Sequence, residues 1–75
     1  MVTGLLIKHL RIAKDLKQAN VAKRLGISQQ AYSKLENGQE VDTHRLSDIL
    51  KAMDSTEEDL NEIRQLFTLP PQKNE

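Results

Sequence analysis

Along almost the whole chain apolar residues recur three and four positions apart, and nowhere do they alternate with polar ones long enough to make a strand. That periodicity predicts an all-α fold, and the punctuation between the periodic stretches divides it into five helices. The first, about 4–16, sets Leu6, Leu10 and Ala13 on one stripe with Ile7 beside it. The second opens at Gln18, carries Val21, Ala22 and Leu25 at core spacing, and meets Gly26, a residue suited to the left-handed position that ends a helix. Ile27 and Ser28 form a short link, and Ser28 is a good N-cap for a third helix over 29–36. Its expected inward residues are Ala31, Tyr32 and Leu35, and Asn37-Gly38 stops it as a turn dipeptide.

Asp42 is the expected N-cap of a fourth helix to about Met53, with Leu46, Ile49, Leu50 and Met53 inward. Ser55-Thr56-Glu57-Glu58 reads as a capping box, Ser55 and Glu58 satisfying each other's free backbone donors. It would start a fifth helix to about Phe67, with Leu60, Ile63, Leu66 and Phe67 apolar. Pro70-Pro71 cannot continue a helix, so residues 1–69 are expected to form one domain and 70–75 a disordered tail.

What could hold so short a chain together is limited by its composition. Among 75 residues there is no cysteine and there are only two histidines, His9 and His44, so neither a disulfide nor a metal site is expected. The histidines fall in different helices and no Ser/His/Asp spacing occurs, so no enzyme and no cofactor is expected either. Leu5-Leu6-Ile7 is the longest apolar run, far short of a membrane span, and no secretory leader is expected; a cytoplasmic location fits both. The net charge is zero, but it is unevenly spread. Residues 1–38 carry seven Lys/Arg against Asp15 and Glu36, whereas 39–75 carry four basic and nine acidic residues. Such a split suits a basic half facing a polyanion, or is scatter over solvated helix faces.

Two helices can meet steeply through a tight turn only where certain positions are small. Ala22 falls where such helices approach, and Gly26 falls in the turn, where a positive φ favours glycine. Tyr32 and Leu35 would pack back on Val21, Ala22 and Leu25. A generic helical hairpin could share this much. The fuller string from Gln18 to Gly38, with Gln18, Ala22, Leu25-Gly26-Ile27-Ser28 and Leu35-Glu36-Asn37-Gly38, closely resembles the phage repressor and Cro family, also called the Xre family. The resemblance extends upstream to Leu10-Arg11 and downstream to Leu46, Ile49, Ala52 and Met53. It implies a five-helix repressor-like domain with a helix-turn-helix at about 18–37, binding double-stranded DNA as a homodimer on a palindromic operator. Three positions depart from the family pattern: Lys17 stands where a Ser or Thr cap is usual, Tyr32 where Ile or Val is, and Gln39-Glu40-Val41 where the loop is usually basic.

In this geometry the second helix of the motif enters the major groove, which makes Gln29, Gln30, Ser33 and Lys34 the expected base contacts. A glutamine amide matches adenine N6 and N7 as a bidentate pair, and a lysine donates to guanine or to phosphate. The alternative is an ordinary polar, solvated face. The resemblance implies phosphate contacts from Gln18 and Asn37, with Lys17 and Ser28 beside them; Asn37 also serves simply as a turn former. It further implies an ion pair between Arg11 and Glu36, structural rather than base-reading.

Leu66, Phe67 and Leu69 exceed what five short helices need, so Ile63, Leu66 and Phe67 are the expected dimer interface, unless Phe67 folds back on the first helix as core. The functions in competition are a transcriptional regulator acting as a repressor, an antitoxin that also binds a toxin or other protein partner, and a restriction-modification controller.

Overall fold

The helices start and stop where a backbone donor or acceptor finds a partner. In the structure, a computed structural model that describes residues 2–67, they are α1 (Gly4–Ala13), α2 (Gln18–Leu25), α3 (Gln29–Glu36), α4 (Thr43–Ala52) and α5 (Glu57–Phe67). The Ser28 hydroxyl accepts from the Ala31 N–H at 3.1 Å, and the Asp42 carboxylate from the Arg45 N–H at 2.7 Å, so α3 and α4 are capped as expected. At the start of α2, Lys17 supplies no side-chain cap. That helix ends on Gly26 at φ 76°, with Ile27 N–H bonded to Ala22 O and Gly26 N–H to Lys23 O. This pair of bonds is the Schellman ending.

Helices α1 and α4 end in the same way, but on aspartates. Asp15 (φ 59°) and Asp54 (φ 57°) take the left-handed position, and Leu16 and Ser55 return their N–H groups to Arg11 O and Leu50 O. Aspartate tolerates that conformation better than most residues. The first helix therefore stops at Ala13 and not near residue 16. Its buried stripe is centred on Ile7 and Leu10, which leaves Ala13 on the edge and exposed. The capping box of α5 is also one residue later than expected. Thr56 and Asp59 form it, Thr56 N–H to Asp59 Oδ2 at 3.0 Å and Asp59 N–H to Thr56 Oγ1 at 3.2 Å. Ser55 is already committed to the end of α4, where its hydroxyl donates to Met53 O.

The one element that periodicity missed is a two-stranded antiparallel ladder, β1 (Val2–Thr3) with β2 (Glu40–Val41), in register Val2 to Val41. Two residues are too few to register as alternation. The ladder ties the amino terminus to the segment that follows α3, and Gly4 N–H adds a bond to Gln39 O at 2.8 Å. Just there α1 lies directly on the end of α3. A Cβ on Gly4 would fall 1.6 Å from the Leu35 carbonyl oxygen, so only glycine permits the approach.

Helix α1 packs against α3 and α5, and α2 against α3 and α4. Ile7, Val21, Tyr32, Ile49 and Met53 are the fully enclosed centre, with Leu60 and Ile63 of α5 closing it from one side. The apolar burial that stabilises the fold is almost entirely aliphatic. Among the described residues no helix is long and apolar enough to cross a membrane, and no cluster of metal-ligating side chains occurs. The expectations for Leu69 and for a tail over 70–75 fall outside the described residues.

Candidate nucleic-acid interface

Three inward residues fix how α3 sits. Tyr32, Leu35 and Glu36 are buried, and this turns the opposite face of the helix to solvent. Gln29, Gln30, Lys34 and Asn37 are exposed, and Ser33 is half-exposed. Gln30 and Lys34 thus lie opposite the core and Ser33 at its edge, while Gln29 is exposed at the open amino end of the stripe that carries Tyr32 and Glu36. Ala31, expected inward, is exposed instead, and the inward residues are Tyr32, Leu35 and Glu36. It lines a shallow groove with Lys34 that runs toward Gln39 and Arg45. Sequence reasoning missed Ala31 because it stands four residues before the buried Leu35, at core spacing.

Lys17 is exposed at the start of α2, beside the free N–H groups of that helix end, where the dipole favours an anion. Ser28 is exposed, and its oxygen accepts the Ala31 N–H. Gln18 is half-buried and turned toward the protein: its Nε2 donates to Glu36 Oε1 at 2.8 Å.

The expected ion pair forms at the carboxyl end of α3. Arg11 Nε donates to Glu36 Oε2 at 2.6 Å and Nη2 to Oε1 at 3.2 Å, while Nη1 holds the Leu16 carbonyl at 2.8 Å. The side chains are 12% and 1% exposed, so both charges sit largely away from water. Burial alone would raise the Glu36 carboxyl; the contacts of Arg11, Tyr32 and Gln18 outweigh it and hold the group below the usual carboxylate range. Hydrogen bonding to Glu36 in turn raises Arg11. Burial, then Glu36, pushes the Tyr32 phenol well up, so it stays protonated. The Tyr32 hydroxyl is close enough to feel the carboxylate, yet among the described residues it has no partner with the distance and angle of a hydrogen bond.

Of the three residues expected at a dimer interface, Ile63 belongs to the core at 8% exposure, while Leu66 is 69% exposed at the end of α5. Phe67 closes that helix, and its side chain falls outside the described residues. Leu5 and Ile12 on α1 are also exposed, an apolar pair seven residues apart on one helix face. Their spacing was visible in the sequence, hidden by the longer apolar run around Leu5.

Residues 7–60 match a family model described as "Helix-turn-helix". The chain belongs to the helix-turn-helix family. This helix-turn-helix protein is a DNA-binding transcriptional regulator and not an enzyme. Its fold is shared by a crystal structure of a point mutant of the restriction-modification controller protein C.Esp1396I, with a TM-score of 0.69 over 88% of this chain and 90% of that chain at 20% identity. No curated protein matches the sequence.

Proposed function

We propose that this helix-turn-helix protein is a repressor that binds a palindromic operator as a homodimer and acts by occupancy. The observation that carries the reading is α3 itself, a helix locked into the core on one side that leaves Gln29, Gln30 and Lys34 exposed and Ser33 half-exposed. In the major groove these residues offer two amides for adenine edges and one ammonium for guanine or phosphate. Ala31 adds a methyl group of the kind that contacts thymine. Lys17, Gln18, Ser28 and Asn37 flank this surface as phosphate contacts that set register and carry no sequence information.

One recognition helix reads too few base pairs to single out a site among genomic competitors, so two copies are required about a twofold axis. The exposed Leu66 beside Phe67 supports α5 as the surface that joins them. Selection of bound duplexes from a random library tests the whole reading. An enriched inverted repeat with half-sites about one DNA turn apart is the expected result. Enrichment of a single short site sinks the dimer, and no enrichment sinks sequence-specific binding.

A controller of a restriction-modification system is the second reading, supported by a fold likeness that spans nearly all of both chains. Restriction and methyltransferase genes beside this one would favour it, with the operator found upstream of them.

A further inference from the structure

The sequence holds one Asn-Gly pair, Asn37-Gly38, and it falls where α3 ends. Asn37 caps the helix at φ −83° and ψ 26°, and its own N–H is given to Lys34 O at 3.1 Å. Beyond that bond the pair is uncommitted. Among the described residues neither the Asn37 side-chain amide nor the Gly38 N–H has a hydrogen-bond partner, and both residues are exposed. Gly38 stands at φ 101°, and a Cβ there would meet nothing within 4 Å, so its peptide has room to turn against the side chain before it. Bringing the Gly38 nitrogen onto the side-chain carbonyl takes a rotation of Asn37 about ψ, and neither reacting group gives up a hydrogen bond to make it. The other asparagines lack this arrangement. Asn20 and Asn61 lie within α2 and α5 and are followed by Val21 and Glu62, while Asn74 precedes Glu75. A side chain on the following residue crowds the nitrogen that must attack.

We propose that Asn37-Gly38 is a self-modifying site, at which loss of ammonia weakens the hold of the recognition helix on DNA. The effect on binding rests on the reading of Asn37 as a phosphate contact. The Gly38 nitrogen, its proton lost to water, attacks Asn37 Cγ. The N–Cγ bond forms, the Cγ–Nδ2 bond breaks, and Nδ2 leaves as ammonia with a proton from solvent. Water then opens the cyclic imide. Cleavage at Cγ leaves aspartate; cleavage at the main-chain carbonyl of residue 37 leaves isoaspartate, with the chain running through the side chain. Water is the one reagent consumed, and no electron changes hands. Either product puts a carboxylate where the amide was. That charge stands among the free carbonyl groups that end α3, where a helix favours cations, and it repels the phosphate of the proposed complex. Isoaspartate also adds a carbon to the main chain just ahead of Gln39, whose carbonyl holds the Gly4 N–H.

Warm incubation of the parent at neutral pH, followed by peptide mass spectrometry and an ammonia assay, tests the chemistry. Asn37 should become a mixture of aspartate and isoaspartate, with one ammonia released for each chain converted, while Asn20 and Asn61 stay intact. Conversion of Asn37 no faster than of those two overturns the proposal. The converted chains, separated by anion exchange, should bind a short random-sequence duplex about tenfold more weakly than the parent, the loss of one hydrogen bond to a charged group. Asn37→Asp should reproduce that loss while staying folded by circular dichroism. Asn37→Gln, whose longer side chain closes a ring less readily, should bind no more weakly after incubation than before it. Converted chains that bind like the parent overturn the proposal.

The same duplex, present during the incubation, should slow conversion as it covers Asn37. Conversion that saturating duplex leaves unslowed takes Asn37 out of the interface; it defeats this inference alone, since the parent still binds. A parent that binds no duplex at low salt defeats the DNA reading as well, and with it the effect on binding, while the release of ammonia is measured without any duplex.

Discussion

At its amino end α3 presents Gln29 and Gln30 to solvent, with the Ser28 cap holding the first turn; at its carboxyl end Tyr32, Leu35 and Glu36 are almost without exposure. The amino end satisfies one backbone donor with one hydroxyl. The carboxyl end draws on Arg11 of α1, Gln18 of α2 and the backbone approach of Gly4. A helix gripped at one end can change its residues at the other without losing its seat. Stability and the proposed base reading are therefore separable along eight residues of one helix.

The largest effect should come from breaking the grip. Arg11→Ala leaves Glu36 charged, buried and without its main partner, at about 3–5 kcal/mol. A domain this small has about that much stability in total, so the variant should be mostly unfolded at room temperature. Circular dichroism against temperature measures it, and melting within a degree or two of the parent would mean that the pair contributes nothing. Acid should act on the same group. The folded-state value of Glu36 lies below its ordinary 4.5, so the stability it contributes is complete above that pH and is lost as pH falls through the lower folded value. Glu36→Gln should be less stable than the parent at neutral pH and should lack that part of the acid loss.

Next in size is Gly4→Ala. The added Cβ meets the backbone of Leu35, which cannot rotate away, and overpacking of this kind costs about 1–3 kcal/mol. The same thermal melts check it. An unchanged melting temperature would show that α1 and α3 have room to part without cost.

How much of this was legible in the sequence divides along the same line. Helix number, the caps at Ser28 and Asp42 and the left-handed Gly26 were readable because each depends on a few neighbouring residues. The grip was only partly so. Arg11 and Glu36 were paired through the family resemblance, since no local rule links residues 25 apart. Gln18 was assigned to DNA, although its amide is first of all a partner of Glu36. The contact between Gly4 and Leu35 and the ladder of Val2 with Val41 are products of tertiary packing, which local periodicity cannot register. Asp15 as a helix end went unread because aspartate takes the left-handed position much less often than glycine.

The free end should answer differently. Gln29→Ala and Gln30→Ala should each lower operator affinity by about 1–3 kcal/mol while random-sequence binding and melting stay close to the parent. Equal losses on operator and random duplexes would show that these amides do not read bases.

The smallest effect, and the finest probe of the boundary between holding and reading, is at Ser28. Its hydroxyl is the only side-chain cap on α3, so Ser28→Ala should cost about 1 kcal/mol and lower the melting temperature by about 4–8 °C. Ser28→Asp should do the opposite in both respects. An aspartate caps as well as a serine and its charge suits the helix dipole, so melting should match or exceed that of the parent. The same charge would stand beside the phosphate that Ser28 is proposed to meet. Binding to operator and random duplexes should therefore weaken together, and least at high salt, where the repulsion is screened. An Ser28→Asp variant that melts like the parent and binds DNA equally well would remove Ser28 from the interface and leave it as a cap alone. Weaker binding with unchanged melting would place the boundary within the first turn of α3, with one side chain serving both ends of the comparison.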